Sequence, residues 1–202
     1  MTEIKLCGLS RTCDIDAVNS LMPDYVGFVF AKKSRRSVSA TAARELKKCL
    51  HPAIRAVGVF VNENADTVAE YLEEGIIDLA QLHGTEDESY LTCLRLLTGK
   101  EIIQAFRITT KQDMLRAEKS TADMILLDSG AGTGKVFDWN LLKGIRRPFF
   151  LAGGLDPNNV EEAVRELHPH AVDVSSGIET DGVKDQTKMA AFIAAVRRGE
   201  KQ

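Results

Sequence analysis

The feature that most constrains this chain is a rhythm. Eight short apolar runs recur along it: I-K-L-C (4–7), Y-V-G-F-V-F (25–30), R-A-V-G-V-F-V (55–61), D-L-A-Q-L-H (78–83), E-I-I-Q-A-F-R-I (101–108), M-I-L-L-D (124–128), P-F-F-L-A-G (148–153) and A-V-D-V-S-S (171–176). Most are rich in β-branched or aromatic residues and end in Gly, Asn or a charged residue, as strands do. Their spacing of roughly 20–30 residues is the length of one strand–helix unit. Helical periodicity fills segments between them. Residues 41–50 place Ala42, Leu46 and Cys49 on one face, and 65–75 place Val68, Tyr71 and Leu72 on one face with Gly75 as the stop. Residues 156–167 offer Asp156 as N-cap and Pro157 at the first helical position. The closing helix, 188–199, is apolar at Met189, Phe192, Ile193 and Val196. Strands alternating with helices argue for a parallel sheet. Eight such units argue for an α/β chain closed into a single-domain (β/α)8 TIM barrel over residues 1–202, with short loops. The rival is an open, doubly wound sheet. It usually has fewer strands and a Gly-rich fingerprint after the first, where this chain has C-G-L-S-R-T.

The chain is 44% hydrophobic, enough for a packed core, and its net charge of −3 makes no case for nucleic acid or an anionic membrane as partner. No apolar run approaches the roughly 18 residues of a membrane span, and M-T-E-I-K-L lacks the pattern of a signal peptide. Cys7, Cys13, Cys49 and Cys93 are scattered, without a C-x-x-C pair or a His cluster. That argues against a zinc site and a disulfide scaffold, and for reduced thiols in the cytoplasm. No metal or cofactor is expected. The oligomeric state, monomer or homodimer, stays open.

In such a barrel the active site lies at the C-terminal ends of the strands. Alternation sorts the residues there. Ile4 and Leu6 share one face, so Lys5 and Cys7 should point into the barrel; Ile125 and Leu127 share a face, which turns Asp128 the other way. Cys7 and Asp128 should therefore meet across the mouth. L-A-G-G-L-D-P (151–157) and V-S-S-G-I-E (174–179) place Gly and Ser after the seventh and eighth strands, where barrels of this kind hold a phosphate. K-K-S-R-R-S (32–37) is either a solvated basic loop or an arginine clamp for a carboxylate. G-A-G-T-G-K (130–135) lacks the spacing of a P-loop and reads as a flexible active-site loop.

These stretches, with V-G-V-F-V-N-E, A-Q-L-H-G-T-E and G-T-G-K-V-F-D-W, run in order along almost the whole chain, and the sequence resembles the phosphoribosylanthranilate isomerase family. The resemblance implies an Amadori rearrangement of N-(5′-phosphoribosyl)anthranilate to 1-(2-carboxyphenylamino)-1-deoxyribulose 5-phosphate, in tryptophan biosynthesis. It implies Cys7 as general base, Asp128 as general acid, and an arginine for the anthranilate carboxylate at Arg36 rather than its neighbour Arg35. It puts the phosphate on the backbone of Gly153, Gly154, Ser175, Ser176 and Gly177. The partner is then a small phosphorylated substrate.

Both catalytic groups face a pKa problem. A free Asp titrates near 3.9, so keeping it neutral at pH 7 costs roughly 4 kcal/mol. A free Cys near 8.5 is only a few per cent thiolate at that pH. Lys5 would either lower the Cys7 pKa or pair with Asp173. Asp173 would balance Lys5 or hydrogen-bond the sugar. His83 is either a polar group near the ribose or a hydrogen-bonded residue of the rim. Trp139 reads as packing. The alternatives are another phosphate-binding barrel, epimerase-like or indoleglycerol-phosphate synthase-like, and a non-catalytic barrel that only binds.

Overall fold

The computed structural model describes residues 1–128, 139–142 and 144–201. Eight parallel strands, β1 (Glu3–Cys7), β2 (Tyr25–Val29), β3 (Arg55–Phe60), β4 (Leu79–Leu82), β5 (Ile102–Arg107), β6 (Met124–Asp128), β7 (Phe149–Ala152) and β8 (Ala171–Val174), form a closed barrel in chain order. Each strand lies within two residues of its sequence-based bounds. The helices among the described residues are α1 (Thr12–Leu21), α2 (Ala40–Cys49), α3 (Ala65–Glu73), α4 (Glu88–Leu97), α5 (Lys111–Lys119), α6 (Val160–Leu167) and α7 (Gln186–Gly199). Between β6 and β7 the described residues hold a 3₁₀ turn at Trp139–Leu142, and Trp139 packs against the core as expected.

Strand parity builds two separate cores. Ile4, Leu6, Val26, Phe28, Ile125 and Leu127 point outward and pack with the buried faces of the helices. Tyr25, Val57, Leu79, Ile103, Leu126 and Phe150 point inward and fill the barrel. Above them Cys7, Val29 and Val59 form a small apolar cluster at the C-terminal end. Lys5 is fully buried beneath Cys7 on the same face.

The opposite end repeats one device three times. An aspartate stands one residue before each of β2, β4 and β6 and accepts a backbone N–H from the strand before it. Asp24 Oδ2 takes Ile4 N at 2.8 Å, Asp78 Oδ2 takes Ala56 N at 2.7 Å and Asp123 Oδ2 takes Ile102 N at 2.9 Å. These bonds add to the ladder and hold its register.

Two local expectations change. In α2 the buried residues are Ala43 and Leu46, and Cys49 is exposed because the capping residue Leu50 takes the next inward place. Helix α6 starts at Val160, not at Pro157. Asp156 Oδ1 accepts the N–H groups of Asn158 at 2.6 Å and Asn159 at 3.2 Å, which makes a side-chain turn ahead of the helix.

Candidate active site

The turn after β1 is shaped around one sulfur. A Cβ on Gly27 would lie 2.5 Å from Cys7 Sγ and 3.0 Å from its Cα, so the thiol fills the space that a side chain on β2 would need. Gly8 follows Cys7 with φ of +82°, a conformation glycine adopts without strain. A Cβ there would meet Arg36 Cδ at 2.5 Å, so Gly8 both turns the chain and lets Arg36 cross it.

Lys5 Nζ lies 3.0 Å from Asp173 Oδ2. Of the two roles expected for Lys5, the pairing with Asp173 is a direct hydrogen bond, and Lys5 also acts on Cys7 through its charge and a side-chain hydrogen bond. Burial pushes the Cys7 thiol up; Lys5 pulls it down, Asp173 pushes it up and Lys184 pulls it down again. The balance leaves the thiol above its ordinary range, so Lys5 opposes the rise without reversing it. Burial alone would lower the Lys5 ammonium, but Asp173 and Cys7 raise it beyond its ordinary value, and it stays charged. Asp173 Oδ1 is buried with no hydrogen-bond partner.

Cys7 and Asp128 line one cavity of about 360 Å³ at the C-terminal mouth. Arg36, His83, Asp173, Gly153, Gly154, Ser175 and Ser176 line it too. His83 Nε2 is 3.3 Å from Asp128 Oδ2, and Gln81 Nε2 is 2.9 Å from His83 Nδ1. Gly153 and Gly154 both have positive φ, and Asn159 Nδ2 donates to Gly154 O at 2.8 Å, tying their loop to the start of α6. Gly177 departs from expectation: it does not line this cavity. A Cβ on it would fall 2.0 Å from Leu155 O, so it seats the loop after β8 against the loop after β7. The 130–135 stretch lies outside the described residues.

Arg36 is already engaged. Its Nε donates to Glu179 Oε1 at 2.6 Å and its Nη2 to Glu179 Oε2 at 2.9 Å. Arg35 Nη2 reaches Glu179 Oε2 at 2.7 Å, and the nearly buried Lys184 Nζ reaches Oε1 at 2.7 Å and Ser175 O at 2.8 Å. Burial alone would raise the Glu179 carboxyl, but the bonds from Arg36 and Lys184 outweigh it and hold the group down at about 2. The Arg36 guanidinium is raised by the same contact. Glu179 takes one edge of the guanidinium, and Nη1 has no partner among the described residues.

Sequence reasoning missed Glu179, Lys184 and Gln81. The first two sit on a short hairpin after β8, β9 (Glu179–Thr180) and β10 (Val183–Lys184). A signal for it was present. Asp-Gly between E-T and V-K is a strong hairpin cue, and Asp181 and Gly182 both have the positive φ that such a turn demands. Gln81 shares the inward parity of His83.

A larger cleft, about 590 Å³, lies at the far end of the barrel around Arg147, Phe149, Glu166 and His170. It holds none of the residues that line the mouth cavity. Among the described residues no group of three or more His, Cys, Asp or Glu is placed to hold a metal ion, and no helix is long and apolar enough to cross a membrane.

Residues 4–195 match the family model described as N-(5′phosphoribosyl)anthranilate (PRA) isomerase. A protein of Endomicrobium trichonymphae named N-(5′-phosphoribosyl)anthranilate isomerase is 45% identical over 202 residues, covering 98% of this chain and 99% of that protein. The crystal structure of phosphoribosyl anthranilate isomerase from Thermotoga maritima superposes with a TM-score of 0.90 at 35% identity, covering 98% of this chain and 99% of the other. A second crystal structure of such an isomerase, in complex with reduced 1-(o-carboxyphenylamino)-1-deoxyribulose 5-phosphate, gives a TM-score of 0.87 at 34% identity with the same coverage.

Proposed function

Because the chain belongs to the N-(5′-phosphoribosyl)anthranilate isomerase family of tryptophan biosynthesis, we propose that its mouth cavity performs the Amadori rearrangement of N-(5′-phosphoribosyl)anthranilate with Asp128 as general acid and Cys7 as general base. The observation that carries this reading is that a carboxyl, a thiol, an arginine edge and two glycine- and serine-bearing loops share one cavity. The substrate needs all four. Its carboxylate goes to the Arg36 edge that Glu179 leaves open, where two N–H groups suit two oxygens. Its phosphate goes to the backbone at Gly153–Gly154 and Ser175–Ser176, where the lack of side chains on the glycines allows close approach.

The ribose then spans Cys7 and Asp128. Asp128 gives its proton to the furanose ring oxygen, the ring C1′–O bond breaks, and a Schiff base forms. Cys7, as thiolate, removes the C2′ proton, and the electron pair left behind makes an enolamine. Protonation at C1′ and loss of the 2′-hydroxyl proton give the aminoketose, with no atom gained or lost overall. Asp173 lines the same cavity and is the group we assign to a sugar hydroxyl. Burial holds the thiol above its ordinary range, whereas a general base works best with a pKa near the working pH.

The test is the decay of anthranilate-type fluorescence when the protein meets freshly made phosphoribosylanthranilate. Turnover by the wild type, lost in Cys7→Ser and Asp128→Asn while both still bind a reduced product analogue, is the expected result. A folded wild type without turnover overturns the reading.

A further inference from the structure

Gln81 has no part in the steps above, yet it is built into the wall of the cavity. It is 1% exposed, points inward from β4, and places Nε2 2.9 Å from His83 Nδ1 while its Oε1 is buried without a partner. An amide nitrogen has only hydrogens to offer, so Nδ1 must be the bare, accepting nitrogen of the ring. A neutral imidazole then carries its hydrogen on Nε2, and Nε2 lies 3.3 Å from Asp128 Oδ2. Turning the amide over would leave a buried NH2 orphaned in place of a buried oxygen. An orphaned N–H is the rarer and costlier defect.

We propose that Gln81 is a positioning residue for the acid of the reaction: by donating to Nδ1 it fixes the hydrogen of His83 on Nε2, and that hydrogen, given to Asp128 Oδ2, holds the carboxyl in place. The inference rests on the reading of Asp128 as general acid. It adds a fixed contact to it, because the Nε2 hydrogen holds one carboxyl oxygen from the side of β4. It also gives the carboxylate left after transfer a neutral donor that is already in place, so no group has to reorganise.

The test is two-part. Nitrogen-15 NMR of histidine-labelled wild type, with His83 assigned through His83→Asn, should show Nδ1 bare and Nε2 protonated at neutral pH. In Gln81→Glu an acceptor replaces the donor, and the Nδ1 resonance should move to its protonated position. Turnover of Gln81→Glu and of Gln81→Met, which keeps the length without the donor, should fall about 10- to 100-fold in kcat with KM within about threefold. A wild-type His83 protonated on Nδ1, or a Gln81→Met enzyme with wild-type kcat, or a loss confined to KM, overturns the proposal. The NMR result needs no turnover. A wild type with the expected tautomer and no activity on phosphoribosylanthranilate would therefore strike the function and leave the tautomer assignment standing.

Discussion

Arg36 and Glu179 meet edge to edge, Nε to Oε1 at 2.6 Å and Nη2 to Oε2 at 2.9 Å. An arginine expected to receive a substrate carboxylate is thus oriented by a carboxylate of its own chain. Glu179 is the shared centre of the group, since Arg35 and Lys184 also converge on it.

The two partners should therefore differ in what their loss does. Glu179→Ala leaves Lys184 and Arg36 without their anion, and should cost about 3–5 kcal/mol of stability, as breaking a buried pair does. Arg36→Lys leaves Glu179 with two other cations. It should change thermal stability little and raise KM for the substrate at least about tenfold, through loss of the two-point contact. Thermal melts and steady-state kinetics on the two variants check both halves.

The same cluster sets a pH dependence. The Glu179 carboxyl is held at about 2 in the fold against an ordinary 4.5. A depressed carboxyl stabilises the fold fully above its unfolded value, and the contribution is lost as pH falls from there through the folded value. Wild type should lose melting temperature between about pH 4.5 and 2 faster than Glu179→Gln does. Parallel slopes would exclude the group as the cause.

Lys5 and Asp173 make a buried ion pair 3.0 Å long. Lys5→Met should destabilise by about 3–5 kcal/mol, and Lys5→Met with Asp173→Leu should recover most of that, because the pair's worth is small beside the cost of a lone buried charge. The Lys5 single variant should also raise the Cys7 thiol further, since Lys5 pulls it down. Iodoacetamide labelling of Cys7 against pH reads that shift, and an unchanged profile would remove Lys5 from the tuning of the thiol.

Gly27→Ala is a steric probe of the proposed base, Cys7. Its Cβ would lie 2.5 Å from Cys7 Sγ, so the thiol must move. We expect a folded barrel whose kcat falls by about 100-fold, the scale on which a misplacement of about 1 Å acts. Circular dichroism and the fluorescence assay separate that outcome from unfolding.

Much of this was legible in the residues. Parity alone turned Lys5 and Cys7 inward, because Ile4 and Leu6 needed the helices and a strand has only two faces. Asp128 followed from Ile125 and Leu127 by the same rule. What was hidden is of another kind. The Arg36–Glu179 contact joins loops 143 residues apart, and no local period encodes such a meeting. Whether Lys5 raises or lowers the reactivity of Cys7 is a balance among burial, Asp173 and Lys184, which is decided only by distances. Helix α6 began late because Asp156 spent its side chain on a turn, a choice open to any Asp before a Pro.

Asp24, Asp78 and Asp123 sit at the end of the barrel away from the cavity, and each binds a backbone N–H of the neighbouring strand. A strand that slips by a single residue presents its opposite face. For β1 that slip would send Cys7 out among the helices and bring Leu6 to the mouth. Which side chains face the cavity is in that sense a matter of counting, and the count starts from three carboxylates at the opposite end of the barrel.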